Sequence, residues 1–366
     1  MNEALVANIL YGSYIRYDRM YEMTKFAFYG QTDSNTVNVY IDAYSIIRGI
    51  FKRGNAIQID DSFSIASCLI NLAIHIRAYF ESRHRVSSKI YIIYGGARPR
   101  EALNLLPGYN EKNILMENSN AFLQNLIRDN LEVMQLLCKY LYDIFCTVNY
   151  NMEFNTMASN IIDLNSRENK SGITTPSIVY SKDHLSYQLV AFKPYTFLYR
   201  PMKSMTQDNS WVVTKSTLFA AYRNGELKLT KDIPTNLDVK MLSLYQAISG
   251  LRTRSIGSIL NANQTLAFLE KAISENILAN GYNANSILYM SNTIDKLLSI
   301  CPNRIDPSIV RARFAAIDLP YQESMKSAQL ECINISKDLI NLYNPQEIRG
   351  LNDQYFRKYP LDLNRV

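Results

Sequence analysis

This chain has little of what builds cross-linked, metal-clipped or membrane-embedded proteins. Its five cysteines, Cys68, Cys138, Cys146, Cys301 and Cys332, are scattered, odd in number and never paired as Cys-x-x-Cys. That pattern argues against a disulfide framework and fits thiols kept reduced as small apolar residues. The three histidines, His75, His84 and His184, lack zinc-type spacing. No apolar run has the length a bilayer demands, so no membrane partner is expected. The opening "MNEALVANILYGSYIRYDRM" carries Glu3 and no long apolar block, so no signal peptide is expected either. Together these absences predict a cytoplasmic protein, in host cytoplasm or virion if the source is viral. Glycine is scarce, 13 in 366 residues, and there is neither a repeat nor a low-complexity tract.

What remains is enough for a large core: 47% of the residues are hydrophobic. The length suits two or three domains, or one large α/β unit with insertions. The net charge of +6 permits contact with a polyanion without demanding it. The richness in Asn, Ile and Tyr (26 tyrosines) suits an AT-rich genome, a phage or other virus among others.

Strand and helix signals alternate. "NVYID" at Asn38–Asp42 reads as a strand, and "SFSIASCLINLAIHIRAYFESR" as a helix whose start Asp60 and Asp61 can cap. "KIYIIYGG" is a continuous apolar run closed by Gly95 and Gly96, which is how a buried parallel strand reads. The amphipathic "AFLQNLIRDNLEVMQLLCKYLYD" and the strands "IFCTVNY" and "SIVYS" follow. Such alternation predicts a parallel sheet with helices on both faces. "FKPYTFLYRP" with "SWVVTK" predicts a later hairpin, with Trp211 packed on the sheet. Beyond Leu237 helices are expected, ending at Gly281 and before Pro302. "VRARFAAIDLP" reads as a last strand, and "SAQLECINISKDLINLY" as a helix with an apolar stripe in a Pro-bearing tail.

Five stretches, in order between Val37 and Pro320, carry the chemistry-bearing residues. They are "VNVYIDAYSIIRGIF", "IYIIYGGARPREALNLLPGYNEKN", "YNMEFNTMASNIIDL", "IVYSKDHLSYQLV" and "YQAISGLRTRSIGSILNANQTLAFL". In this order they resemble the flap endonuclease and 5′–3′ exonuclease family, a branch of the PIN-like nucleases. The resemblance implies a PIN-like central parallel sheet flanked by helices, over 37–235, with an arch-like segment at 97–120. It implies a helix-hairpin-helix-like region and closing strand over 236–320. An extension at 1–36 precedes these, and a tail at 321–366 follows.

The resemblance also assigns stations to residues. Asp42 stands at the end of the first strand, where the family has a metal-binding acid; on its own it also reads as a helix cap. The next acid falls on Gly95 or Gly96. Arg98, Arg100, Pro107, Gly108 and Tyr109 fit the basic segment that follows, but the family's Lys and Arg fall on Asn110 and Asn113, with Lys112 nearby. At the third station Asn155, Thr156 and Met157 replace acids and Glu153 is the nearest carboxylate. At the fourth Asp183 fits and Leu185 replaces the second acid. At the fifth "LNANQ" replaces a glycine-rich turn, so the backbone approaches a phosphate less closely.

Two-metal phosphodiester cleavage holds divalent ions about 4 Å apart and needs several carboxylate oxygens. Asp42, Asp183 and Glu153 therefore read as vestiges, and no metal or other cofactor is expected. One reading is an inactive relative kept as a binding or structural module. Its nucleic-acid contacts would be weak ones through Arg98, Arg100, Lys112, Arg252 and Arg254, or it would have a protein partner in a larger assembly. For Arg252 and Arg254 solvated surface charge is the plainer role. The alternative is an active Mg2+- or Mn2+-dependent 5′ nuclease whose site Asp60, Asp61, Glu153 or Asp163 completes. An unrelated α/β protein is the third possibility.

Overall fold

The computed structural model describes residues 36–52, 63–118, 121–168, 175–200, 211–215, 218–223, 226–229, 237, 241–275, 294–299, 306–324, 339–358 and 360–365. Its strands are β1 (Thr36–Asp42), β2 (Ser87–Gly95), β3 (Ile144–Asn149), β4 (Ser177–Tyr180), β5 (Thr196–Tyr199), β6 (Trp211–Lys215), β7 (Leu218–Arg223) and β8 (Glu226–Leu229). They form one sheet in the order β3-β2-β1-β4-β5-β6-β7-β8. The first five are parallel and the last three antiparallel, with Tyr199 opposite Trp211 at the junction. The expected parallel sheet and the later hairpin are both present. The antiparallel extension by β7 and β8 had no counterpart in the sequence reading. The side chain of Trp211 lies outside the described residues.

The helices that position the site are α1 (Ala43–Lys52), α2 (Ser64–His84), α3 (Arg100–Leu105), α4 (Glu111–Asn118), α5 (Ala121–Cys138), α6 (Phe154–Glu168) and α7 (Tyr187–Phe192). They are followed by α8 (Leu242–Ser249), α9 (Ala262–Ser274), α10 (Pro307–Ile317), α11 (Leu319–Ser324) and α12 (Pro345–Tyr355). None of the helices among the described residues is long and apolar enough to cross a membrane.

Period-two alternation sorts the strand side chains into two cores. Val37, Val39 and Ile41 of β1 with Ile90 and Ile92 of β2 pack against α2 and α5 on one face. Tyr40, Tyr91 and Ile93 turn to the other face, against α6, α8 and α10. There Tyr40, Tyr91 and Phe145 stack across three neighbouring strands. The hydroxyls of Tyr40 and Tyr91 are both satisfied by Asn165, at 3.0 and 3.1 Å. Strands covered on both faces in this way need continuous apolar runs, and β2 has one.

One expectation changes, and two others fall wholly or largely outside the described residues. Residues 307–317 form helix α10 in place of a closing strand. Asp306 caps it by accepting from Ser308 N at 2.8 Å, Pro307 opens it, and Val310, Phe314 and Ile317 recur at helical spacing. Asp60 and Asp61 lie outside the described residues; the first turn of α2 is instead satisfied from a distance, with Ala66 N donating to Asn130 Oδ1 of α5 at 2.8 Å. Residues 327–338 of the expected tail helix lie outside the described residues; its end does not continue as helix, since residues 341–344 run beside 139–142 with Leu342 N donating to Lys139 O at 2.7 Å. The tail helix among the described residues is α12, which buries Ile348, Leu351 and the following Phe356 and Leu361 in the first core. His75, expected to be packed, is anchored there too, 3.1 Å from Asp362. Gly281 and Pro302 lie outside the described residues.

The strand order fixes where a site can form. The chain runs outward from β1 through β2 to β3, then returns to place β4 on the other side of β1. Loops leaving the carboxyl ends of β1 and β4 therefore part, and the crevice between them is where open α/β sheets gather functional groups.

Candidate functional site

Asp42 is the last residue of β1, and two of its interactions follow from that position. Its Oδ1 accepts from Ser45 N at 2.9 Å, capping α1, and its Oδ2 accepts from Ser181 Oγ at 2.7 Å. Ser181 follows β4, and its Oγ also accepts from Asp183 N at 3.0 Å. Asp183 caps the short turn 184–186 through Leu185 N at 3.2 Å. The structure thus brings the two acids together across the β1–β4 crevice, both at most 6% exposed. Glu153, just before α6, lines the same cavity as both.

Between Glu153 and Asp183 lies the guanidinium of Arg254. Its Nε donates to Glu153 Oε1 at 2.6 Å, and its Nη2 donates to Asp183 Oδ2. Tyr109 OH donates to the same Glu153 oxygen at 2.9 Å. Arg254 is buried, so the expectation that it meets phosphate or solvent is corrected. It ends a short 3-10 turn, 252–254, set between α8 and α9, in which Leu251 and Ile256 bridge. Arg252, two residues earlier, points outward and is exposed.

The electrostatics follow from burial. Desolvation raises the Asp42 carboxyl above the usual carboxylate range, with Ser181 and Ser45 pulling against it. Burial raises Glu153 as well, opposed chiefly by Arg254. Burial alone would lower the Arg254 guanidinium, but Asp183 and Glu153 outweigh it and hold it well above its ordinary value. The cation is therefore permanent.

The other stations that the resemblance assigns are closed by packing. A Cβ on Gly95 would stand 2.1 Å from Phe154 N, and one on Gly96 would stand 2.0 Å from Tyr150 O. The backbone leading into α6 occupies the space an acidic side chain would need. Met157 and Leu185 are fully part of the second core. Asn155 is buried and accepts from Ser186 Oγ at 2.9 Å. Asn110 and Asn113 are buried stitches: Asn110 Nδ2 donates to Ala97 O at 2.7 Å, and Asn113 Nδ2 donates to Thr253 O at 3.3 Å. Asp163 is elsewhere, 2.9 Å from Lys193 Nζ.

These residues do not fit a pair of divalent ions. Glu153 and Asp183 each already give an oxygen to one fixed guanidinium, and Asp42 is the one other carboxylate lining the cavity. The cavity left among Asp42, Gly96, Asn110, Glu153 and Asp183 is about 20 Å³, room for roughly one water. Among the described residues no three His, Cys, Asp or Glu side chains are arranged to hold a metal ion.

Of the remaining cations the sequence singled out, Arg98, Arg100 and Lys112 are exposed. Arg98 donates to Asn118 Oδ1. Lys112 N donates to Ser255 Oγ at 3.2 Å, which seats α4 against the turn carrying Arg252. Sequence reasoning missed Ser181, and it missed that Tyr109 is a hydrogen-bond donor to Glu153. Ser181 had one local signal, its place two residues before an acid at a strand end.

No family model matches the chain, and no curated protein matches it by sequence. Among solved structures it is similar to the bacteriophage T5 flap endonuclease in a pseudo-enzyme–product complex with DNA and metal ions. The identity is 12%, over 83% of this chain and 98% of that one, with a TM-score of 0.48. It is also similar to the T5 5′-exonuclease with bound zinc, at 13% identity over 88% of this chain and 98% of that one, with a TM-score of 0.47. The α/β architecture itself is carried by the strand order and register given above.

Proposed function

We propose that this chain is a catalytically inactive, flap-endonuclease-like protein that serves as a nucleic-acid-binding module. The observation that carries the reading is the Arg254 guanidinium held between Glu153 and Asp183. A site that must gather two dications needs surplus negative charge. Here a built-in cation offsets that charge, and glycine, methionine and leucine stand where further acids would be. The fold around the cleft is kept while its donor set is spent on an internal ion pair.

Binding falls to the exposed cations Arg98, Arg100, Lys112 and Arg252. Four phosphate contacts would give a salt slope of roughly −3 to −4 in log K against log salt. A protein partner is the other use of such a module. It is supported by exposed apolar side chains of one neighbourhood, Tyr142, Ile340, Leu342 and Tyr343, with the Tyr142 and Tyr343 rings 5.9 Å apart.

The convergence of Asp42, Glu153 and Asp183 on one cavity favours a second reading, an active 5′ nuclease in which Arg254 swings away. Flapped and nicked DNA incubated with Mg2+ or Mn2+ separates the two. The expected result is no cleavage. Cleavage that vanishes in an Asp42→Ala, Asp183→Ala control would overturn the inactive reading. Retention of a labelled oligonucleotide on a filter at two salt concentrations tests binding. Retention that ignores salt would reject the cationic contact surface.

A further inference from the structure

We propose that Arg254 is a resident cation that clamps three separate parts of the chain together. These are the carboxyl end of β4, the start of α6, and the 106–118 segment that carries Lys112. The inference rests on the inactive reading above and adds a structural function to the cation.

The clamp has a side-chain half and a backbone half. The side chain joins Asp183, beyond β4, to Glu153, at the entry to α6. Through the Glu153 oxygen it shares with Tyr109 it also reaches the segment between α3 and α4. The Arg254 carbonyl accepts from Asn110 N at 2.8 Å, and the neighbouring Thr253 carbonyl accepts from Asn113 Nδ2 at 3.3 Å. Asn110 sits at φ 58°, a left-handed conformation that asparagine tolerates better than most side chains. On the other side of the turn, Gly250 has φ 86°, and a Cβ there would lie 2.7 Å from Ser258 N. The turn is thus built to aim one arginine inward.

Arginine suits the task because its planar fork donates from separate nitrogens to two carboxylates and never loses its charge. A bound ion would join the same carboxylates only while bound. The guanidinium makes the joint permanent and holds the surface bearing Lys112 and Arg252 in one shape.

The test removes the cation and asks whether an external one takes over. In the intact chain, Mn2+ or EDTA is expected to leave the melting temperature unchanged, and Mn2+ titrated with detection of the free ion by paramagnetic resonance shows no stoichiometric uptake. Arg254→Met is expected to melt roughly 5–10 °C lower and to recover part of that on adding Mn2+, with about one ion taken up per chain. Amide exchange is expected to accelerate at residues 108–114 and 250–256 while α2 stays protected. Should Arg254→Met fail to fold, the triple variant Arg254→Met, Asp183→Asn, Glu153→Gln decides. Without charges left to repel it is expected to fold, and to ignore Mn2+.

An Arg254→Met chain as stable as the parent, or one that Mn2+ does not stabilise, would overturn the clamp. A triple variant no more stable than the single one would do the same. Cleavage of flapped DNA by the intact chain would instead overturn the inactive reading, so the two failures are told apart.

Discussion

Two buried ion clusters in this protein each set two acids against one cation, and they behave differently. In the β1–β4 crevice Arg254 joins Glu153 and Asp183, and all three side chains are at most 12% exposed. On the far side of α6, Lys193 Nζ lies 2.9 Å from Asp163 and 3.1 Å from Glu323, but those acids are 42% and 20% exposed. The arginine assigns one nitrogen to each acid, so its geometry is fixed by the fork. The lysine is a point charge whose acids retain a route to water or to a proton. Burial raises Glu323 to about 7, with Lys193 only partly opposing it. The first cluster is a permanent joint and the second is adjustable.

The widest gap between them is expected on deleting the cation. Arg254→Met leaves two buried carboxylates unpaired, a loss of roughly 3–5 kcal/mol by comparison with other broken buried pairs. Lys193→Met is expected to lose about 1 kcal/mol or less, because Asp163 is partly solvated and Glu323 can take up a proton. Urea unfolding of both variants at pH 7 checks this. Equal losses would mean that burial does not separate the clusters.

Backbone packing marks the crevice as well. At the crevice the chain entering α6 presses on Gly95, leaving 2.1 Å to a Cβ. Gly95→Ala must push that backbone aside, and a destabilisation of roughly 2–3 kcal/mol is expected. Gly108, where nothing lies within 4 Å of an added Cβ, serves as the control, and Gly108→Ala is expected to cost well under 1 kcal/mol. A harmless Gly95→Ala would mean that an acid had room there after all.

The sequence disclosed the two regions to different degrees. Four of the five parallel strands were legible because each is a short apolar run, and β1, β2 and β4 are closed by Asp42, Gly95 and Ser181; β5 was read as one arm of the hairpin, and only its pairing shows that it also lies parallel to β4. Asp42, Asp183 and Glu153 were legible as a group only through the resemblance, which assigns each of them to a station. Arg254 was not. "LRTRSI" gives Arg252 and Arg254 similar surroundings, and only the 3-10 turn sends one inward and the other outward. Helix α10 was misread because Val, Arg, Ala and Phe alternate locally, while the Asp306 cap that decides the matter lies outside the run considered. The Lys193 cluster was invisible because its members are 30 and 130 residues apart.

The adjustable cluster makes a smaller, pH-dependent prediction. A carboxyl raised from 4.5 to about 7 holds its proton in the folded state where the unfolded chain has released it. Its contribution is therefore complete below about pH 4.5 and is lost as pH rises through about 7. Asp163 and Asp318 push in that direction, and Lys193 pushes against it. Glu323→Gln is expected to remove a downward slope in stability of order 1–3 kcal/mol between pH 5 and 8. Unfolding curves at both pH values, with and without the substitution, measure it. A slope that survives in Glu323→Gln would place the titration elsewhere.

The smallest effect sharpens the contrast between the inward and outward arginines. Arg252→Ala removes an exposed charge with no ion-pair partner among the described residues, so stability is expected to move by less than about 0.5 kcal/mol. Binding should change instead: a lost phosphate contact weakens affinity alike for every sequence and reduces the salt slope by about 1. Lys112→Ala, on the helix seated against the same turn, is expected to do the same, and the double variant to reduce the slope by about 2. Filter binding across a salt series with one fixed-length oligonucleotide reads all three. If Arg252→Ala left the slope untouched while Arg254→Met lowered it, the outward residue would be idle. Whatever nucleic acid the chain holds would then depend on the clamp keeping the surface in shape, not on the charge displayed there.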